Sequence, residues 1–63
     1  MPKLLNETVA RNKFKIEQAA RKLFTRQGFH GTTVRQIARA AGVSMGKLYL
    51  YYPNKEDIFI GLV

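Results

Sequence analysis

The pattern of apolar and polar positions predicts a chain made of helices. Val9, Ile16, Ala19, Ala20, Leu23 and Gln27 fall near one helical face; Val9, Ile16 and Leu23 are seven apart, and Ala20 and Phe24 fill the neighbouring spacings. Such a stripe marks an amphipathic helix with one side on a core. Asn6 followed by Glu7 offers a start, with one several residues later as the alternative. Gly28 offers an end, because a left-handed cap costs glycine little. Phe14 falls on the side away from Leu23 and is expected in solvent.

Three shorter helices follow the connection Phe29–His30–Gly31. Thr33 stands three residues before Gln36, a capping box in which each side chain satisfies the other residue's free amide. The helix it opens carries Val34, Ile37, Ala38 and Ala41 on one face and stops at Gly42. Ser44 is an N-cap for a third helix from Met45 to about Tyr52. Pro53 interrupts the backbone. Asn54 caps a fourth helix, with Glu56 and Asp57 in the first turn, where the macrodipole favours carboxylates. No run of residues reads as a strand pair, and no repeat or low-complexity tract is visible. The fold class expected is all-α: a three-helix helix-turn-helix unit, homeodomain-like, plus the start of a fourth helix.

The stretch from Thr33 to Tyr52 carries the functional signal. Its two helices meet across Ala41-Gly42-Val43-Ser44, the length and composition of a helix-turn-helix. Ala38 is small enough for the helices to cross closely. Gly42 can take a positive φ that would strain any side chain. Val43 and Leu48 are expected to point inward and lock the pair onto the first helix. With Leu48 as the inward reference, at about 100° per residue, Gly46 and Leu50 lie nearly opposite, flanked by Lys47 and Tyr49, with Met45 near the tip. An outward helix face without acids, with a glycine for close approach and a phenol able to reach a phosphate, suits a major groove. Tyr52, about 40° from Leu48 on this wheel, is assigned to the core and Tyr49 to the outward face. Tyr51 fits either role.

Charge sharpens this picture. Eleven Lys plus Arg against four Asp plus Glu give a formal net charge of +7. No acidic residue lies between Glu17 and Glu56, a stretch holding Arg21, Lys22, Arg26, Arg35, Arg39, Lys47 and Lys55. A one-signed field over a small domain draws in polyanions, although charge alone does not separate DNA from RNA or an anionic membrane. The basic residues are spread over three helices, and Gly42 and Pro53 break any long apolar face, which argues against a membrane-surface helix. A protein–protein adaptor would differ in binding that survives high salt. No apolar run approaches the ~20 residues of a transmembrane helix, and the N-terminus lacks a signal-peptide stretch. An enzyme is not expected: Ser44 is the only serine and is best used as a cap, His30 is the only histidine and has no evident partner, and no phosphate-binding glycine loop occurs. With no cysteine and one histidine, no metal site is expected, and no cofactor. A chain of 63 residues holds one domain at most, buries only about 60% of its unfolded surface, and ends on an apolar run as if part-way through a helix. It is expected to be a fragment of a larger protein.

The run GFHGTTVRQIARAAGVSMGKLYLYYPNKEDIF, extended back through Leu23-Phe24, Ala19-Ala20 and Ile16, resembles the N-terminal domain of the TetR family of transcriptional repressors. The match covers about three quarters of the chain without a gap. The resemblance implies that residues 1–63 form the DNA-binding domain of a bacterial, cytoplasmic regulator. It implies a homodimer, made through a C-terminal domain that also binds a small-molecule effector, and a near-palindromic double-stranded operator. By position, Thr33 and Arg35 resemble phosphate-contacting residues. Ser44, Met45, Gly46 and Lys47 correspond to the leading end of the recognition helix. Tyr49 and Tyr51 match positions that hold phosphate oxygens, as does Lys55 at the start of the fourth helix. Leu50 matches a variable position that sometimes touches bases. Met45 and Leu50 are apolar where many relatives have polar base readers, which leaves contact with thymine methyls open to them and few hydrogen bonds for specificity. Lys47 reads either a guanine edge or a phosphate. Arg11, Lys13 and Lys15 are read as an ordinary charged helix face, with reach to a backbone or minor groove as the alternative.

Overall fold

A computed structural model of the chain describes residues 2–63, with side chains from residue 8 onward. It consists of four helices: α1 (Pro2–Gln27), α2 (Val34–Ala41), α3 (Met45–Tyr51) and α4 (Lys55–Leu62). No strand occurs among the described residues. The expected order is therefore present. Helix α1 begins at Pro2, ahead of the Asn6–Glu7 start read from the sequence; the side chains of those two residues lie outside the described ones. Helix α3 stops one residue short of Tyr52, whose extended backbone serves as its C-cap.

The helix ends are fixed by local chemistry. Gly28 has φ 80° and its amide donates to the Phe24 carbonyl at 2.9 Å, closing α1. In the α2 capping box, the Gln36 amide donates to Thr33 Oγ1 at 3.1 Å and the Thr33 amide to Gln36 Oε1 at 3.0 Å. Gln27 Nε2 also donates to Gln36 Oε1 at 2.7 Å, which ties the end of α1 to the start of α2. Between these helices the chain passes so close to itself that a Cβ on Gly31 would collide with the Gln27 carbonyl oxygen. Ser44 Oγ accepts from the Lys47 amide at 3.1 Å, and Asn54 Oδ1 from the Asp57 amide at 2.8 Å.

One core joins the four helices. Ile16 and Ala20 from α1, Ile37 from α2, Leu48 from α3 and Ile58 from α4 are fully buried, with Ala19, Ala38 and Tyr52 closing around them. Burial of an Ile or Leu side chain contributes roughly 1.5–3 kcal/mol. Each short helix is thus anchored chiefly by one large aliphatic residue. Ala38 is almost wholly buried, consistent with the close crossing expected of α2 and α3. Val9 departs from the expectation: it is 41% exposed although it lies on the apolar stripe. Helices of two turns can cover only part of a 26-residue helix, which is about 39 Å long, and Val9 lies beyond their reach. Phe14 is exposed, as its position predicts.

Candidate nucleic-acid interface

The turn between α2 and α3 sets the orientation of the candidate interface. Gly42 has φ 74°, in the left-handed region that favours glycine. Its amide donates to the Arg39 carbonyl at 3.2 Å, and the Val43 amide reaches back to the Ala38 carbonyl at 3.0 Å. These paired bonds form a Schellman motif, which satisfies the last carbonyls of α2 and reverses the chain within three residues. Val43 packs against the core, and Ser44 then starts α3.

With Leu48 buried, the rest of α3 is turned as the wheel predicts. Gly46, Lys47, Tyr49 and Leu50 are exposed, Leu50 at 84% and Tyr49 at 47%. Beyond the adjacent backbone of α3 itself, no atom lies within 4 Å of where a Gly46 Cβ would sit, so the fold does not need a glycine there. Met45 lies less far out than its place at the tip suggests: it is half-buried and packs against the core. Thr33, Arg35 and Ser44 are exposed, with the Thr33 and Ser44 hydroxyls engaged as caps. Neither α2 nor α3 carries an acidic residue, while Arg35, Arg39 and Lys47 are all exposed.

The tyrosines divide cleanly. Tyr49 is outward. Tyr52 is buried and donates its hydroxyl to Glu17 Oε2 at 2.6 Å. Burial, then the hydrogen bond and negative charge of Glu17, push the Tyr52 phenol well above the usual tyrosine range. Tyr51 is half-buried, and its hydroxyl oxygen accepts from Asn12 Nδ2 at 3.1 Å. Asn12 is itself buried on α1, a polar residue that sequence reasoning missed. Its position four before Ile16, on the apolar stripe, was the available signal.

Lys55 is placed differently from a simple surface cation. Its Nζ donates to the Phe29 carbonyl at 2.7 Å and the Thr32 carbonyl at 3.0 Å, and sits 4.2 Å from the Phe29 ring centroid. Two of its three donors thus staple the start of α4 to the connection leading into α2. Around this staple, Phe24, Phe29 and Phe59 form a ring cluster with centroids 5.3–6.0 Å apart. His30 packs on the edge of it, 5.4 Å from Phe29.

Two short helices joined by a glycine turn, clamped on a third and presenting an acid-free face, define a helix-turn-helix domain. Comparison with known proteins gives that class its family. Bacterial regulatory proteins of the tetR family match residues 16–62. The HTH-type transcriptional regulator HbdR of Aromatoleum sp. (strain CIB) is 47% identical over 57 residues, covering 90% of this chain and 23% of that protein. RutR of Escherichia coli (strain K12), another HTH-type transcriptional regulator, is 41% identical over 58 residues, 92% of this chain and 27% of that protein. The crystal structure of a tetR family transcription regulator from Shewanella sp. PV-4 superimposes with a TM-score of 0.79 at 45% identity, over 81% of this chain and 27% of the other. The chain belongs to the tetR family of bacterial regulatory proteins. It spans about a quarter of the length of these curated relatives. No helix among the described residues is long and apolar enough to cross a membrane.

Proposed function

We propose that α3 enters the major groove of a specific double-stranded operator and that the regulator acts as a cytoplasmic repressor. In this reading residues 1–63 are the DNA-binding domain of a longer protein, whose remainder makes the homodimer and binds a small effector that releases the operator. The observation that carries the reading is the orientation of α3: Leu48 is fully buried while Gly46, Lys47, Tyr49 and Leu50 face solvent.

Each residue then has a task. Gly46 lets the α3 backbone approach the base edges. Lys47, at the N-terminal end of the recognition helix, reaches a guanine edge or a phosphate. Leu50, and the exposed part of Met45, meet thymine methyls. Tyr49 and Tyr51 donate hydroxyl protons to phosphate oxygens on either side of the groove. At α2, the first two amides have no intrahelical acceptor and, with Arg35 and the Thr33–Gln36 box holding the turn, form a phosphate seat. Ser44 fixes the start of α3 as its cap. Lys55 keeps one donor beyond its two carbonyl bonds, enough for a phosphate near the start of α2. Two such domains in a dimer would read half-sites about one helical turn, ~34 Å, apart, giving a near-palindromic site.

Selection of duplexes from a random pool with the intact protein, followed by titration across salt, tests this. The expected result is enrichment of an inverted repeat whose log affinity falls steeply and linearly with log salt. Enrichment of no sequence, or affinity indifferent to salt, contradicts it.

A further inference from the structure

We infer that Asn12 is a positioning residue for DNA binding: it holds Tyr51 so that the phenolic proton is left for a phosphate oxygen. The inference rests on the phosphate role given to Tyr51 above. A phenol has one proton to give and lone pairs to accept with. Asn12 Nδ2 fills an acceptor position on Tyr51 Oη at 3.1 Å, and an amide N–H cannot take the proton in return. Among the described residues Tyr51 Oη donates to no acceptor.

Tyr52, the extended C-cap just past α3, shows the opposite arrangement. Glu17, five residues on from Asn12, offers a carboxylate oxygen, which accepts the hydrogen bond that Tyr52 Oη donates at 2.6 Å. Tyr52 is thereby closed into the core, whereas half-buried Tyr51 is held but not consumed. Packing alone does not explain Asn12. It is 8% exposed, and burying an amide is unfavourable unless its hydrogen bonds are made. An aliphatic residue at this point of the stripe would pack on α3 without that cost. What the amide adds is a fixed donor aimed at one phenol, linking α1 to the end of α3 across 39 residues of sequence.

The test is a double-mutant cycle on the intact protein, read by fluorescence anisotropy with a duplex that the wild-type protein selects from a random pool. Tyr51→Phe removes the proton and should weaken binding about tenfold, the range of a hydrogen bond to a charged acceptor. Asn12→Ala should weaken it about three- to tenfold. In the Tyr51→Phe background Asn12→Ala should add less than about twofold, because contacting residues are not additive. The salt slope should not change for either, since no cation is removed. Asn12→Asp keeps the shape but accepts only; it should bind at least as weakly as Asn12→Ala. Full affinity in Asn12→Ala or Asn12→Asp, with Tyr51→Phe impaired, overturns the inference while leaving the Tyr51 contact standing. An equal loss from Asn12→Ala in both backgrounds overturns it by making Asn12 a purely structural residue. Wild-type affinity in Tyr51→Phe removes the phosphate role of Tyr51, and the inference with it.

Discussion

Gly46→Glu places a carboxylate on the outward arc of α3 without disturbing anything beneath it. Outside the adjacent backbone of α3, the space around a Cβ at Gly46 is empty to 4 Å, so no packing is lost. Glycine costs at most about 1 kcal/mol relative to alanine, the helix-interior figure, and a carboxylate in a first helical turn contributes about 0.3–1 kcal/mol through the macrodipole. Gly46 is the second residue of α3, so the variant should fold as stably as the parent or slightly more so. Binding should move the other way. Like charges forced together across an interface cost several kcal/mol, and each 1.4 kcal/mol is about tenfold, so operator affinity should fall by about two orders of magnitude or more. Gly46→Ala, which adds bulk without charge, should fall between. Thermal melts by circular dichroism read the stability, and anisotropy on the selected operator reads the binding. An affinity of the Gly46→Glu variant within about threefold of the parent, half a kcal/mol or so on this scale, would refute the assignment of this face. A loss of folding would refute its openness.

Other changes separate scaffold from contact. Leu48→Ala, at the one fully buried residue of α3, should cost about 2–5 kcal/mol in urea denaturation; a loss below about 1 kcal/mol, well under that range, would contradict its anchoring role. Gly42→Ala forces a side chain into the left-handed region and should cost about 1–2 kcal/mol, checked by the same denaturation. Lys47→Ala should leave the melt unchanged and reduce the salt slope by about one; an unchanged slope would remove Lys47 from the duplex. Tyr52 has a folded-state phenol pKa raised by burial and by Glu17, so its contribution is intact below the unfolded value of about 10. That contribution is lost as pH climbs above about 10 toward the folded value. Denaturation at about pH 8 and again above about pH 10 should show a decline that Tyr52→Phe makes shallower, and identical declines would contradict the coupling.

What was legible in the sequence was local. The Thr33–Gln36 box, the Ser44 and Asn54 caps and the left-handed Gly42 are each settled within four residues, so type and spacing suffice to read them. The outward arc of α3 was readable because one buried leucine fixes the rotation of a seven-residue helix. Contacts decided by helix crossings were not readable. Asn12 with Tyr51, Glu17 with Tyr52, and Lys55 with the Phe29 and Thr32 carbonyls join positions 23 to 39 residues apart. Nothing in the spacing of either partner points to the other. The exposure of Val9 belongs to the same class, since periodicity places a residue on a face and not along the length that its neighbours cover.

In the proposed complex the outward face of α3 lies within the duplex. Residues 1–63 contain no cysteine, so Leu50→Cys introduces one label site in this domain, which can carry an iron–EDTA group that cuts nearby nucleic acid. On the selected operator, two clusters of strand cleavage are expected, one inside each half-site and about one helical turn apart. Cleavage absent or spread evenly along the duplex, while the labelled protein stays bound, would contradict it.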